Sequence, residues 1–194
     1  INDTALAKQL SSALLPAYWV SGDEPLLVQE CIDLIHKRFK QEGFSEKQVL
    51  SIDGSFQAEQ LFELTQNFSL FSEKKRLEIQ LGDKLPESFA ASFIEVLNQQ
   101  DPNLVLIIRS AKLSAAQMKT KCYLSFEKLG CHISVWPVEA NQLPGWIQQR
   151  GKKLGLNFSP DALAALSECC EGNLLAAKQA LEKLSLTQEK GLIG

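Results

Sequence analysis

The most telling chemical group in this chain argues against a reaction. The stretch "SGDEPLLVQE", residues 21–30, follows a short apolar strand pattern and opens a long helical one. A nucleotide-driven α/β domain places the loop G-x-x-x-x-G-K-[ST] at that point. Its backbone N–H groups wrap the phosphates, and its Lys and Ser/Thr serve the phosphate oxygens and Mg²⁺. Here there is one glycine, Gly22, no lysine, and two carboxylates, Asp23 and Glu24. Those acids repel a polyphosphate. Pro25 lacks the N–H that should point at it. The loop does not cradle ATP in the usual way.

The other candidates are weaker. Asp83 follows the third strand in "EIQLGDK", where a Mg²⁺-holding carboxylate would sit; without a phosphate loop it reads as a polar turn. Arg109 ends the fourth strand and could touch phosphate, although a strand-end Arg paired with a neighbouring acid is the commoner arrangement. The cysteines, Cys31, Cys122, Cys131, Cys169 and Cys170, are odd in number and form no C-x-x-C pair. They read as buried thiols of a reducing compartment, with the cytoplasm as the expected location. His36 and His132 supply no closely spaced ligand pairs, so no metal and no cofactor is expected. There is no G-x-S-x-G elbow. Neither histidine has a nucleophile at readable spacing, which leaves open only a triad assembled in space. No catalytic residue is assigned, and the chain alone does not read as an enzyme.

The elements that carry these residues follow from composition and periodicity. The 194 residues, 45% hydrophobic and 22% charged, suit one large or two small globular domains. The net charge of −3 does not advertise nucleic-acid or membrane binding by the chain as a whole. No apolar run reaches the roughly 18 residues of a membrane span, and no signal peptide is visible. The missing initiator Met and the ending "EKGLIG" read as a fragment.

Helix and strand alternate first. Residues 4–15 predict a short helix with Leu6, Leu10 and Leu14 on one face, and "AYWVSG" a strand. Residues 24–43 predict a long helix with Asp23 as candidate N-cap, Pro25 in the first turn and Gly43 at the end. Its apolar stripe is Val28, Ile32, Ile35 and Phe39. "QVLSID", "KRLEIQL", "NLVLIIRS" and "CHISVW" read as further strands. Between them lie helices over 57–68, 87–100 and 114–130. The near-continuous apolar run of "NLVLIIRS" suits a central parallel strand covered on both faces. This is a three-layer α/β domain with a mostly parallel five-stranded sheet, ending near Pro137. After it come only helical patterns: one opening at Pro144, one capped by Ser159 with Pro160 in first place, and one capped by Asn173.

One stretch needs a separate explanation. "NFSLFSEKKR", residues 67–76, places bulky apolar groups at a helix-to-strand corner, where turn residues are usual. Leu61, Leu64 and Phe68 share the inward face, and Leu70 falls off it. Phe71 has two readings: it continues the i, i+3 series from Phe68 into the core, or the helix ends first and frees it.

Three stretches together resemble the delta subunit of the bacterial DNA polymerase III clamp loader. "YWVSGDEPLLVQECIDLI" is similar to the family's opening strand and helix, with its acidic replacement of the phosphate loop. "FSLFSEKKRLEI" is similar to its clamp-contacting segment. "LPGWIQQRGKKLGL" with "EGNLLAAKQALEKLSL" looks like its helical-domain signature. The resemblance implies an AAA+-like domain without a functional phosphate loop over residues 1–138 and a small three-helix lid domain over 139–194, with the family's C-terminal collar domain absent from this chain.

It also implies that Leu70 and Phe71, outward-facing, bind the ring-shaped sliding clamp (the beta subunit) and open it. Partner gamma/tau and delta prime subunits would complete the loader, which places the clamp on primed DNA; no membrane is involved. Lys74, Lys75 and Arg76 then have two readings, as cations steering an acidic clamp or as a solvated turn that protects a strand end. Arg150, Lys152 and Lys153 read as a solvated face before a weak DNA contact. The rival readings are a degenerate ATPase with an unusual nucleotide site and the loader's other non-motor subunit. The latter usually carries a zinc-binding cysteine cluster, which this chain lacks.

Overall fold

The structure is a computed structural model that describes residues 3–66, 74–82, 86–170, 172–187 and 192–193. The chain divides into two compact units, Ile1–Trp136 and Pro137–Gly194.

The first unit runs α1 (Asp3–Ser12), β1 (Ala17–Gly22), α2 (Pro25–Gln41), β2 (Glu46–Ile52), α3 (Ala58–Gln66), β3 (Lys75–Leu81), α4 (Glu87–Gln99), β4 (Leu104–Ser110), a 3₁₀ turn (Gln117–Lys119), α5 (Lys121–Glu127) and β5 (Gly130–Val135). The sheet order is β2-β3-β4-β1-β5, and every pairing is parallel. β4, the continuous apolar run, lies in the middle of the sheet with Leu104–Ile108 buried, as a strand covered on both faces must.

Alternation along β1 shows the layers. Tyr18 meets Phe39 of α2 edge-on at 5.7 Å on one face. Its neighbour Trp19 turns to the other, against Phe93 of α4 at 6.3 Å and Phe126 of α5 at 5.3 Å. The main apolar cluster lies on the Trp19 face and includes Leu77, Ile79, Phe89, Leu106 and Ile108. Gly43 ends α2 with φ +88°, a left-handed conformation that side chains resist.

Several local expectations change. Glu24, not Asp23, caps α2: its carboxylate accepts the Leu26 N–H at 3.3 Å. Asp23 is used elsewhere, accepting the Lys112 N–H at 3.1 Å. The helix expected over 114–130 breaks at Thr120, whose extended backbone (φ −70°, ψ 153°) and hydroxyl, 3.3 Å from the Tyr123 N–H, start α5 afresh. α1 stops at Ser12, short of Leu14. Phe68, the last residue expected on the inward face of α3, lies outside the described residues, as does Asp83.

The second unit holds α6 (Leu143–Lys153), α7 (Pro160–Cys170) and α8 (Leu174–Thr187). Ser159 caps α7 through Ala162 N–H at 3.1 Å, and Asn173 caps α8 through Ala176 N–H at 3.0 Å. Ile147, Leu156, Phe158, Leu174, Ala177 and Leu181 are buried in it. It also contains strand, which the helical patterns do not announce. β6 (Asn157–Phe158) pairs in parallel with β7 (Leu192–Ile193). Two residues are too few to display alternation.

Candidate functional site

Two places in the first unit bear on function. The first is the crevice at the carboxyl ends of β1 and β4. The crossover from β1 packs on one face of the sheet and those returning through β4 to β5 on the other, so their connections diverge here. Open α/β sheets bind ligands at such a point. A cleft of about 430 Å³ opens there, lined in part by Gly22, Asp23, Pro25, Gln80 and Arg109.

Its chemistry does not fit a nucleotide. The head of α2 is served by the chain's own Glu24 carboxylate, in the position a phosphate would take. Gly22 has a packing reason: a Cβ there would lie 2.4 Å from the Val135 carbonyl oxygen. Among the described residues Arg109 has no acidic partner of the kind its strand-end position suggests; it donates to the Gln29 side-chain oxygen at 2.8 Å.

The second place is the base of residues 67–73. Leu70 and Phe71, the clamp-binding pair implied by the resemblance, lie outside the described residues. The anchors on either side are described. α3 is described as far as Gln66, and β3 begins at Lys75. Lys75 is fully buried, and its Nζ donates to the Leu64 carbonyl at 2.7 Å. Its backbone N–H donates to Asn103 O at 2.7 Å, and Glu46 lies 4.0 Å from Nζ.

Lys75 and Arg76 therefore are not a solvated turn, and neither is placed as an exposed steering cation. Strand periodicity explains both. Lys75 shares the inward face with Leu77 and Ile79, while Arg76 points to the other face, beneath α2. There its guanidinium donates to His36 O and Ser45 O, each at 3.0 Å. The period of two in "KRLEIQL" carries this placement, whereas the three consecutive cations resemble a surface turn. Lys74 alone of the three is partly exposed; its Nζ donates to Glu42 O at 3.2 Å and sits 5.1 Å from the Phe44 ring centre.

Beyond Arg76, the α2 face of β3 carries a buried polar cluster. Glu78 meets His36 Nε2 and Lys47 Nζ, each at 2.9 Å, and accepts from Gln80 at 3.0 Å. The His36 hydrogen bond, aided by those of Gln80 and Lys47, holds the Glu78 carboxyl down at about 2 against the desolvation that would raise it.

His132 does find a hydroxyl in space. Its Nε2 lies 2.8 Å from Ser21 Oγ and its Nδ1 2.9 Å from the Tyr123 hydroxyl. Ser21 is only 3% exposed, so this trio ties β1, β5 and α5 together and offers no open nucleophile. Burial pushes the His132 imidazole down to about 4, which keeps it neutral.

Burial likewise raises the Cys122 thiol to about 11 and moves Cys131 and Cys170 upward. Among the described residues no cluster of three or more His, Cys, Asp or Glu could hold a metal ion. No described helix is long and apolar enough to cross a membrane. In the second unit, Lys152 and Lys153 are exposed in the last turn of α6, while Arg150 lies 4.1 Å over the Trp146 ring.

Comparison with known proteins agrees with these features. Residues 18–134 match the family described as DNA polymerase III, delta subunit. The chain is 34% identical over 187 residues to the DNA polymerase III subunit delta of Escherichia coli and 29% identical over 184 residues to that of Haemophilus influenzae. Those alignments cover 96% and 93% of this chain but 54% of each relative, so the chain spans about half the length of the curated relatives it matches.

Among solved structures, the Bacillus subtilis DNA clamp loader delta protein superposes with a TM-score of 0.68 at 16% identity, over 98% of this chain and 59% of that one. The Thermotoga maritima RuvB Holliday junction branch migration motor follows at 0.60 and 11%, over 98% and 65%. The fold is AAA+-like. The chain belongs to the DNA polymerase III delta subunit family.

Proposed function

We propose that this chain is the clamp-binding part of a clamp-loader delta subunit, acting as an interaction module rather than an enzyme. Leu70 and Phe71 insert into a pocket on the sliding clamp and hold one interface of the ring open. ATP is bound by the partner gamma/tau subunits, delta prime completes the complex, and the assembly sets the clamp on primed DNA in the cytoplasm. The observation that carries this reading is the 34% identity to a delta subunit along 187 residues. The Glu24 cap at the head of α2 supports it, because that carboxylate stands where an ATPase would bind phosphate.

Physically, ring opening by such a contact needs no ATP at that step. A ligand shifts an equilibrium by its differential affinity for the two states. If the Leu70 and Phe71 pocket fits better when the neighbouring clamp interface is distorted, binding favours the open ring. Each side chain contributes about 1.5–3 kcal/mol of gross burial, less the cost of association.

Co-elution tests the reading: the chain, mixed with a bacterial sliding clamp without nucleotide, migrates with it on size exclusion, and L70A/F71A does not. Separate elution of the folded wild-type chain at micromolar concentrations removes it. The degenerate-ATPase alternative gains no support from the geometry of the cleft.

A further inference from the structure

We infer that the crevice at the carboxyl ends of β1 and β4 is a binding site for a small zwitterion with an apolar body, the chemistry of a free aliphatic α-amino acid.

None of the residues assigned to clamp binding takes part. Asp23 and Arg109 line the same cleft of about 430 Å³, yet among the described residues neither forms an ion pair, with the other or elsewhere. Each is held in place by a neutral group instead. Arg109, half-buried, donates from one Nη to the Gln29 side-chain oxygen at 2.8 Å, and the Gln29 amide nitrogen donates in turn to Asp33 at 2.9 Å. The guanidinium is thereby oriented, while its Nε and second Nη have no hydrogen-bond partner among the described residues. Asp23 takes the Lys112 N–H on one carboxylate oxygen at 3.1 Å, which leaves the other oxygen for a ligand. Pro25, Val28, Leu81 and Ala111 supply apolar lining.

That combination selects a ligand class. The volume falls in the range of roughly 300–1,000 Å³ typical of small-molecule sites, and the place is the switch point where open α/β sheets bind ligands. A carboxylate matches the planar fork of a guanidinium. An ammonium is drawn to the Asp23 carboxylate, and an aliphatic body gains from leaving water against the apolar lining. A simple carboxylate leaves Asp23 unused, and a simple amine leaves Arg109 unused. A polyanion gains Arg109 but meets Asp23 and, at the head of α2, Glu24.

Titration of the nitrogen-15-labelled chain, followed by nuclear magnetic resonance, tests the site. L-Leucine should shift the Arg109 Nε–H signal and the Lys112 amide along one saturable curve. Isocaproate, which lacks the ammonium, and isoamylamine, which lacks the carboxylate, should each bind about tenfold or more weakly. These three probes act on the wild-type chain, so the comparison does not depend on the folding of a variant. Asp23→Asn keeps an acceptor for the Lys112 N–H and should erase the preference for leucine over isocaproate. Arg109→Gln should erase the preference for leucine over isoamylamine. Shifts that never saturate overturn the inference, as do equal affinities for leucine and its two analogues. Inorganic phosphate binding as tightly as leucine overturns it too, and would mark a plain oxyanion site.

Discussion

The Glu24 carboxylate accepts the Leu26 N–H at 3.3 Å, so the head of α2 is closed by the protein's own anion. A phosphate loop leaves that end of the helix open for its ligand. Here the Leu26 N–H, one of the first orphan donors, is satisfied by the chain's own carboxylate, which also faces the positive end of the helix dipole.

Mg-ATP therefore should not stabilise this chain. Differential scanning fluorimetry with millimolar Mg-ATP is expected to leave the melting temperature unchanged. Glu24→Ala should lower stability by about 1 kcal/mol, the usual cost of a lost cap, and still show no nucleotide shift. A rise of several degrees with Mg-ATP in the wild type would restore the ATPase reading.

Arg76 and Lys74 should separate sharply despite adjacent positions. Arg76→Ala removes the guanidinium's bonds to the His36 and Ser45 carbonyls and empties a buried site, at a cost of about 2–4 kcal/mol. Lys74→Ala, at a partly exposed site, should cost less than about 1 kcal/mol. Urea denaturation of the two variants beside the wild type checks the order.

Acid stability should fall in two stages. Burial holds His132 at about 4, below its usual 6.5, so the unfolded chain takes up the extra proton. Its contribution is complete above pH 6.5 and is lost as pH falls towards 4. Glu78, held at about 2 from 4.5, contributes fully above pH 4.5 and loses that contribution as pH falls towards 2. His132→Gln should flatten the upper window of a stability–pH curve and Glu78→Gln the lower. Unchanged slopes in both variants would rule out these groups as the cause.

Gly22→Ala should destabilise through backbone crowding alone. The added Cβ would meet the Val135 carbonyl oxygen at 2.4 Å, and overpacking of this kind costs about 1–3 kcal/mol. Thermal melts check it; a neutral result would show that β1 and β5 separate freely at that end.

The strands and most helices were legible because apolar spacing encodes them directly. The run from Leu104 to Ile108 suits a covered strand, and Val28, Ile32, Ile35 and Phe39 recur as one helical face; both are found so. Competitions decided by a single side chain were less legible. Glu24 displaced Asp23 as cap because Asp23 is engaged by the Lys112 amide across the crevice. Thr120 interrupts a pattern that hydrophobicity alone continues. Lys75 and Arg76 carry the charges of a surface turn at buried strand positions; parity with Leu77 and Ile79 puts Lys75 on their face of the sheet and Arg76 on the α2 face. The partner of Arg109 comes from α2 and has no local signature. Of the proposed binding pair, Leu70 and Phe71, the sequence supplied the whole case through family resemblance.

Isothermal titration of a bacterial sliding clamp with the wild-type chain and with Leu70→Ala/Phe71→Ala is the most direct measurement. Loss of two buried apolar anchors, each about 1.5–3 kcal/mol, should weaken binding by roughly a hundredfold or more, with an unchanged melting temperature. Equal dissociation constants for the two folded proteins would contradict clamp binding through this pair.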